Sequence, residues 1–347
     1  MILQTIEYQG FRNLCDGKIS FCEDLNIITG ENGAGKTNLL EAIFFSAYGT
    51  SFRTNDDRNM VKFNESYMRV TSVSNEMNAS IFYNGTKKFT VNGNEKERLS
   101  DYVGWLPVVI MSLNDIWIIK GSPAKRRSFL DWLLIKLHPV YGANLNEYKK
   151  ILRQRNLILQ QGNLDISLLD VYNERFIHWA NLIYAERKKI LPVFKEVLEI
   201  KAKEIGLNNI SFEYLSPCPD MELTLEALKK VESMEFNRAE TLLGPHRDDF
   251  TIKINGYPVK EFSSEGETRI IALLLKLIER EIIKQKINEE PILLLDEVMI
   301  ELDRFHRKQF FEMLKGQIFY ATVNGLEDIN KHNKKVLIIK RGYIALS

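Results

Sequence analysis

The sequence predicts an α/β fold in which one lobe is interrupted by an inserted helical lobe, and three observations support this prediction. A glycine-rich loop stands between a short apolar strand and an amphipathic helix near the N-terminus. A second apolar strand, near residue 292, ends in two carboxylates. The stretch between them, from about 123 to 205, is rich in helix-forming residues and poor in glycine and proline.

The glycine-rich loop matches the phosphate-binding pattern G-x-x-x-x-G-K-[ST] over residues 30–37. A strand candidate at 26–29 precedes it and a helix candidate at 38–45 follows it, which disfavours a chance glycine-rich turn. In this setting backbone N–H groups surround phosphate oxygens and the helix N-terminus adds a favourable dipole. We expect Lys36 to reach the β- and γ-phosphates of ATP and the Thr37 hydroxyl to hold Mg²⁺. The predicted loop contacts are Gly30, Glu31, Asn32, Gly33, Ala34, Gly35, Lys36 and Thr37.

Length and composition indicate a soluble globular protein. The 347 residues suit two domains or one large α/β domain with an insertion, and 45% of them are apolar. We find no run of 18 apolar residues and no signal peptide at the N-terminus, where residues 1–7 instead predict the first strand. Cys15, Cys22 and Cys218 form no metal-binding spacing, so we expect a reducing, cytoplasmic setting without zinc.

The order of elements predicts two lobes. The first ~115 residues are rich in β-strand signals, with hairpin turns at Asn84-Gly85 and Asn92-Gly93. After the helical stretch, strands are predicted at 211–214 and 250–254, followed by a turn at Asn255-Gly256. A helix at about 266–285 and strands at 292–295, 318–322 and 335–340 complete the chain. We expect one lobe at 1–119 and 241–347 and a helical lobe at 120–240, with the strands at 26–29 and 292–295 in one sheet.

The strand at 292–295 supplies the second half of the predicted nucleotide site. Its apolar run is typical of a central parallel strand covered on both faces. Ligands bind at the carboxyl ends of such strands. Asp296 is therefore placed to hold Mg²⁺ and Glu297 to polarise an attacking water as general base. A strand ending in solvated acids is the alternative, and the paired phosphate loop disfavours it.

The order of these motifs resembles the ATP-binding-cassette ATPases. A Ser and a Gly open the helix after residue 263, upstream of the acidic strand, and Glu301-Leu302-Asp303 follows that strand. In that superfamily the Ser/Gly helix start of one subunit closes on the nucleotide held by another. The resemblance therefore implies a head-to-tail dimer formed on ATP.

Several longer stretches make the resemblance more specific. Residues 10–14 read G-F-R-N-L and residues 51–54 read S-F-R-T, while 120–127 read K-G-S-P-A-K-R-R. L-R-Q-R-N lies within 148–156, and 243–249 read L-G-P-H-R-D-D. These stretches resemble the RecF family of SMC/Rad50-like ATPases. The resemblance implies a cassette-type ATPase head with an inserted helical lobe and no coiled coil. It also implies a weak, DNA-stimulated ATPase that dimerises on ATP and acts with RecR and RecO in loading RecA at gapped or stalled replication DNA.

The resemblance also implies roles for individual residues. Lys36, Asp296 and Glu297 would carry catalysis, with Thr37 and Asp296 on Mg²⁺. Further nucleotide contacts would come from Arg12 and Asn13 in the same subunit and from Ser264, Gly266 and Asp303 of the partner copy.

Three positions depart from the family pattern. Glu267 stands where the family has Gln, with Glu265 two residues before it, and like charges near phosphate oppose closure. Ile300 replaces a Ser, and Leu113-Asn114-Asp115 replaces a P-E-D segment. These departures predict weakened ATP-driven dimerisation.

A basic segment predicts a DNA-contact surface. Between residues 120 and 155 there are nine Lys or Arg against two acidic residues, which suits phosphate contacts without base recognition. A solvated helical face is the alternative, and Arg126 and Arg127 could instead pack against Asp131 or Asp248. The expected contacts to double-stranded or gapped DNA are Lys125, Arg126, Arg127, Lys149, Lys150, Arg153 and Arg155.

Three other functions remain open. An ATP-binding DNA clamp or switch with little hydrolysis is motivated by Glu267 and Ile300. The nucleotide-binding subunit of a transporter needs a switch His, which 320–324 lacks. A metabolic kinase does not explain the Ser264/Gly266 helix start or the long gap between the two halves of the site.

Overall fold

A computed structural model describes residues 1–75, 77–161, 166–299, 304–323 and 333–346. Within these ranges the chain divides into two compact units. The first contains 1–115 and 279–347, and the second contains 116–278. None of the described helices is both long and apolar enough to cross a membrane.

The elements follow the chain in the predicted order. Up to residue 115 they are β1 (Leu3–Gln9), β2 (Gly17–Ser20), β3 (Leu25–Thr29), α1 (Lys36–Tyr48), β4 (Met68–Ser74), β5 (Met77–Tyr83), β6 (Lys87–Val91), β7 (Asn94–Lys96), α2 (Leu99–Tyr102) and β8 (Val108–Ser112). Then come α3 (Ile116–Lys120), α4 (Pro123–Leu137), α5 (Pro139–Leu159), α6 (Ile166–Glu204), β9 (Ile210–Leu215), α7 (Leu225–Arg238), β10 (Asp249–Ile254), β11 (Tyr257–Pro258), α8 (Val259–Phe262) and α9 (Glu265–Ile287). The last are β12 (Ile292–Asp296), α10 (Arg304–Met313), β13 (Ile318–Thr322), β14 (Lys334–Lys340) and β15 (Tyr343–Leu346).

A mostly parallel sheet forms the centre of the first unit. Its strand order is β15-β14-β3-β13-β12-β8, and β13 pairs in parallel with β3 on one side and β12 on the other. The apolar residues of β12 are fully buried, as expected for a strand covered on both faces. The prediction that the strands before the glycine-rich loop and before the two carboxylates share one sheet is confirmed.

A second, antiparallel sheet in this unit has the order β2-β1-β4-β5-β6-β7. The predicted turns at Asn84-Gly85 and Asn92-Gly93 join β5 to β6 and β6 to β7. Asn92 and Gly93 both have positive φ, 51° and 77°, which two-residue hairpin turns favour. Helix α1 packs against strands of both sheets, and this position explains why almost every side chain on it is buried.

The second unit combines helices α3–α8 and the first part of α9 with a three-stranded sheet of order β11-β10-β9. Its ends lie at Ile116 and Ile278, whereas the sequence suggested 120 and 240. The later second boundary has a simple cause, because β10 pairs along its whole length with β9, from Asp249 opposite Leu215 to Ile254 opposite Ile210. Residues just after 240 therefore belong to the second unit.

Candidate nucleotide-binding site

The glycine-rich loop joins β3 to α1 in a conformation that only glycine tolerates at two points. Gly30 has φ 156°, and a Cβ there would lie 2.3 Å from the carbonyl oxygen of Ile339. Gly35 has φ 120°, and its Cβ would lie 3.0 Å from Asn13 Oδ1. The loop backbone is thus held closely by its neighbours in a left-handed turn, as phosphate-binding loops require.

Two side chains at the start of α1 face the end of β12. The Lys36 ammonium donates to the carbonyl oxygens of Gly30 (2.9 Å) and Glu31 (3.2 Å) and lies 3.4 Å from Glu297 Oε1. The Thr37 hydroxyl donates to Asp296 Oδ1 at 2.9 Å. The structure therefore brings together the two halves of the site that the sequence separates by ~260 residues.

The two carboxylates at the end of β12 lie in different environments. Burial raises the pKa of Asp296 above its usual value, and the hydrogen bond from Thr37 partly opposes this shift. Smaller effects come from the negative charge of Glu297, which raises the pKa further, and from the positive charges of Arg53 and Lys36, which lower it. Glu297 has a left-handed backbone, with φ 58°, and its side chain is 28% exposed. It can therefore reach both Lys36 and solvent.

Arg12 and Asn13 lie beside the loop. Arg12 makes a two-point ion pair with the buried carboxylate of Glu41, at 2.8 Å from Nε and 2.7 Å from Nη2. Asn13 Nδ2 donates to the carbonyl oxygen of Gly33 at 3.0 Å. The loop residues 31–33 are exposed, whereas 34–36 are buried.

This donor set fits a nucleoside triphosphate with Mg²⁺. The Lys36 ammonium lies against the carbonyl oxygens of Gly30 and Glu31, and Thr37 and Asp296 offer two oxygens of the kind Mg²⁺ prefers. The Thr37 hydroxyl oxygen and Asp296 Oδ1 lie 2.9 Å apart, so both could bind one ion.

The helix start at 264–267 forms a capping box. The backbone N–H and hydroxyl of Ser264 donate to Glu267 Oε2 at 2.9 and 2.8 Å, and the Glu267 N–H donates back to the Ser264 hydroxyl at 3.2 Å. These bonds hold the pKa of Glu267 below its usual value. Among the residues that the structure describes, none has an atom within 4 Å of a Cβ added to Gly266. Asp303 and Ile300 lie outside the described residues.

Sequence comparisons decide the family. The family model "RecF/RecN/SMC N terminal domain" matches residues 2–323. "DNA replication and repair protein RecF" of Clostridium botulinum (strain Okra / Type B1) is 38% identical over 349 residues, covering 96% of each chain. The protein of that name from Clostridium kluyveri is 34% identical and covers 99% of this chain and 100% of its own. The chain belongs to the RecF family.

Solved structures agree with this membership in the RecF family. "Structure of the recombination mediator protein RecF-ATP in RecFOR pathway" matches 100% of this chain and 97% of that chain, with a TM-score of 0.88 at 32% identity. An Smc head domain derived from Pyrococcus furiosus matches with a TM-score of 0.54 at 17% identity, which shows the shared fold alone. The predicted cassette-type ATPase head is confirmed, and neither a transporter subunit nor a metabolic kinase finds support.

The seven basic residues predicted to contact DNA in this RecF-family chain separate into two groups. Arg126 is buried and pairs with Asp249 through two bonds of 2.6 and 2.9 Å. The Arg155 side chain is 2% exposed, and its Nη2 lies 2.5 Å from Oε2 of the buried Glu235. Arg127 is half-buried and donates to the carbonyl oxygen of Asp248 at 2.8 Å. Lys125, Lys149, Lys150 and Arg153 are exposed.

Burial therefore removes Arg126 and Arg155 from the predicted DNA-contact set, since a phosphate backbone cannot reach them. The alternative of internal packing is the one the structure follows for Arg126 and Arg127, although Asp249 replaces Asp131 as the carboxylate involved. Asp131 pairs instead with Arg187 at 2.8 Å.

Sequence reasoning missed two features of the site. Glu41 lies within the predicted helix after the loop, and its four-residue spacing from Thr37 gave no sign that it would bind Arg12. The capping box was also missed, although it has a sequence signal, S-x-x-E before an apolar run.

Proposed function

We propose that this RecF-family chain is an ATP-dependent DNA-binding protein of recombinational repair, with a weak DNA-stimulated ATPase activity. The observation that carries the proposal is the convergence of Lys36 and Thr37 with Asp296 and Glu297 at the ends of β3 and β12. Two matched halves of a triphosphate site are hard to explain in a protein that binds no nucleotide.

In the proposed site, Thr37 and Asp296 would hold Mg²⁺, which would neutralise phosphate charge during hydrolysis. The phosphate loop and Lys36 would orient the triphosphate. Glu297 would accept a proton from the attacking water, and its partial exposure leaves room for that water. Arg12 and Asn13 would add contacts from the side of the loop.

The proposed active form is a head-to-tail dimer in which Ser264 and Gly266 of one copy, with Asp303, complete the site of the other. Glu267 opposes formation of this dimer, because its ionised carboxylate accepts from the N–H and hydroxyl of Ser264 that a phosphate would need. This observation also favours the second candidate function, an ATP-binding DNA switch with little hydrolysis.

The proposed DNA surface now rests on Lys125, Lys149, Lys150 and Arg153. They would contact phosphates of double-stranded or gapped DNA without reading its sequence. Partners of the RecR and RecO type and a cytoplasmic location form part of the same proposal. They are supported by the RecFOR pathway of the solved relative and by the replication and repair names of the others.

The test is ATP turnover with and without double-stranded DNA, together with the mass of the protein in solution with ATP and Mg²⁺. We expect slow turnover that DNA stimulates and a dimer that requires ATP. Lys36→Ala is the control, because it removes the ammonium from the loop and should abolish both. ATP binding by a persistent monomer without turnover would favour the switch.

Glu267→Gln separates the two candidates further. Gln also closes a capping box, so the variant keeps the helix start and removes only the charge. If the charge limits closure, dimerisation and turnover both rise. Unchanged turnover would show that the trans site is not limited by Glu267.

A further inference from the structure

One carboxylate of the first unit is fully buried and lies between two guanidinium groups. Glu41, on α1, accepts two bonds from Arg12 at 2.8 and 2.7 Å and one from Arg53 Nη1 at 3.3 Å. The hydroxyl of Ser51 also donates to it. A buried carboxylate is stable in the ionised form only with such partners, so these contacts hold each other in place.

Hydrogen bonds link this cluster to the phosphate loop. Arg53 Nη1 donates to Asn38 Oδ1 at 2.8 Å, and Asn38 Nδ2 donates to Asn13 Oδ1 at 2.7 Å. Asn13 Nδ2 in turn donates to the carbonyl oxygen of Gly33 at 3.0 Å. Each asparagine amide accepts through its oxygen and donates through its nitrogen, so these hydrogen bonds run in one direction from Arg53 to the loop, while Arg53 also donates to Glu41.

The cluster has more positive than negative charge. One carboxylate, that of Glu41, meets the guanidinium groups of Arg12 and Arg53. The Nε and Nη2 donors of Arg53 have no partner within the described residues, and its side chain is 43% exposed. These donors are available to an anionic ligand, while Glu41 fixes the opposite edge of the same guanidinium.

We propose that Glu41 is a positioning residue for nucleotide binding, which holds Arg12 and Arg53 beside the phosphate loop with their positive charge preset against a triphosphate. This inference rests on the proposed ATP-binding function. A guanidinium that is already held in place loses little freedom on binding, which strengthens its contact with the ligand. Its positive charge favours the more highly charged ATP over ADP.

The test compares Glu41→Gln in the parent chain and in an Arg12→Ala/Arg53→Ala background, by calorimetric titration of the full chain with ATP and with ADP. In the parent background we expect ATP binding to weaken by on the order of tenfold, as for other supporting residues, and ADP binding to weaken less. In the double-variant background Glu41→Gln should have no further effect on ATP, because the residues through which it acts are gone.

The chain offers a matched control in Glu290, another carboxylate that binds two cations of the first unit, Arg280 and Lys284. Glu290→Gln should lower the free energy of unfolding without changing ATP affinity. If Glu41→Gln does not fold, Glu41→Asp keeps the charge and shortens the reach, and it should still weaken ATP binding.

Equal loss of ATP affinity in both backgrounds, or folded Glu41 variants that keep the parent's preference for ATP, would overturn the positioning role. A parent chain that binds no ATP would overturn the proposed function itself. The two failures are therefore distinguishable, because the first is a difference between variants and the second concerns the parent alone.

Discussion

Replacing Arg155 by Met is expected to destabilise the second unit while leaving its exposed lysines unchanged. Arg155 donates to Glu235 at 2.5 Å, to Thr241 at 2.7 Å and to Asn173 at 2.8 Å. These are links from α5 to α7, to the segment after it and to α6. Met fills much of the same volume but leaves the carboxylate of Glu235 buried without its cation.

The magnitude follows from the burial of both partners, whose side chains are 2% and 1% exposed. Removing one member of a buried ion pair costs about 3–5 kcal/mol. Total stabilities are about 5–15 kcal/mol, so the variant should unfold at a clearly lower denaturant concentration. Met at position 155 together with Glu235→Gln should recover part of the loss, because no unpaired charge remains buried.

The assay is urea unfolding followed by circular dichroism, combined with DNA binding at several salt concentrations below the unfolding transition. Arg153→Met is the matched control, two residues earlier on the same helix and exposed. It should leave stability within about 0.5 kcal/mol and reduce the salt slope of DNA binding by about one. Arg155→Met should lower stability and leave the salt slope of DNA binding unchanged. Parent-like stability with a reduced salt slope would refute the reasoning and return Arg155 to the DNA surface.

Three further predictions concern the loop, the metal and acid stability. Gly30→Ala places a Cβ 2.3 Å from the Ile339 carbonyl oxygen and should impair folding and ATP binding together, which thermal unfolding and titration can check. Asp296→Asn should abolish Mg²⁺-dependent turnover, since Thr37 would face a neutral amide, whereas retained activity at millimolar Mg²⁺ would contradict that role. Burial lowers the pKa of His246 from 6.5 to about 4. As the pH falls from 6.5 to about 4, His246 therefore binds a proton in the unfolded chain before it does so in the folded chain. Acidification from pH 7 to 5 should cost about 2 kcal/mol through this group, and His246→Gln should lose that part of the pH dependence in urea titrations.

The parts of the fold that depend on local pattern were predictable. The phosphate loop, the acidic strand and the Asn-Gly hairpin turns each have a sequence signal that arises within a few residues, and the structure places all of them as expected. The boundary of the second unit was not predictable. It depends on the pairing of β10 with β9, two strands far apart in the chain, and no local signal reveals that pairing.

By itself, the sequence determined the phosphate loop and the acidic strand, since glycine spacing and apolar runs dictate local backbone geometry, and its longer motifs carried the resemblance to RecF. Only the tertiary structure decided which charged side chains face solvent. Arg153 and Arg155 differ by two positions on one helix, and only their packing partners separate an exposed cation from a buried one. The same holds for Glu41, whose place between Arg12 and Arg53 arises because the segment before β2 and the segment after α1 meet on this helix. A side chain's charge follows from its residue type, but its burial depends on every element packed around it.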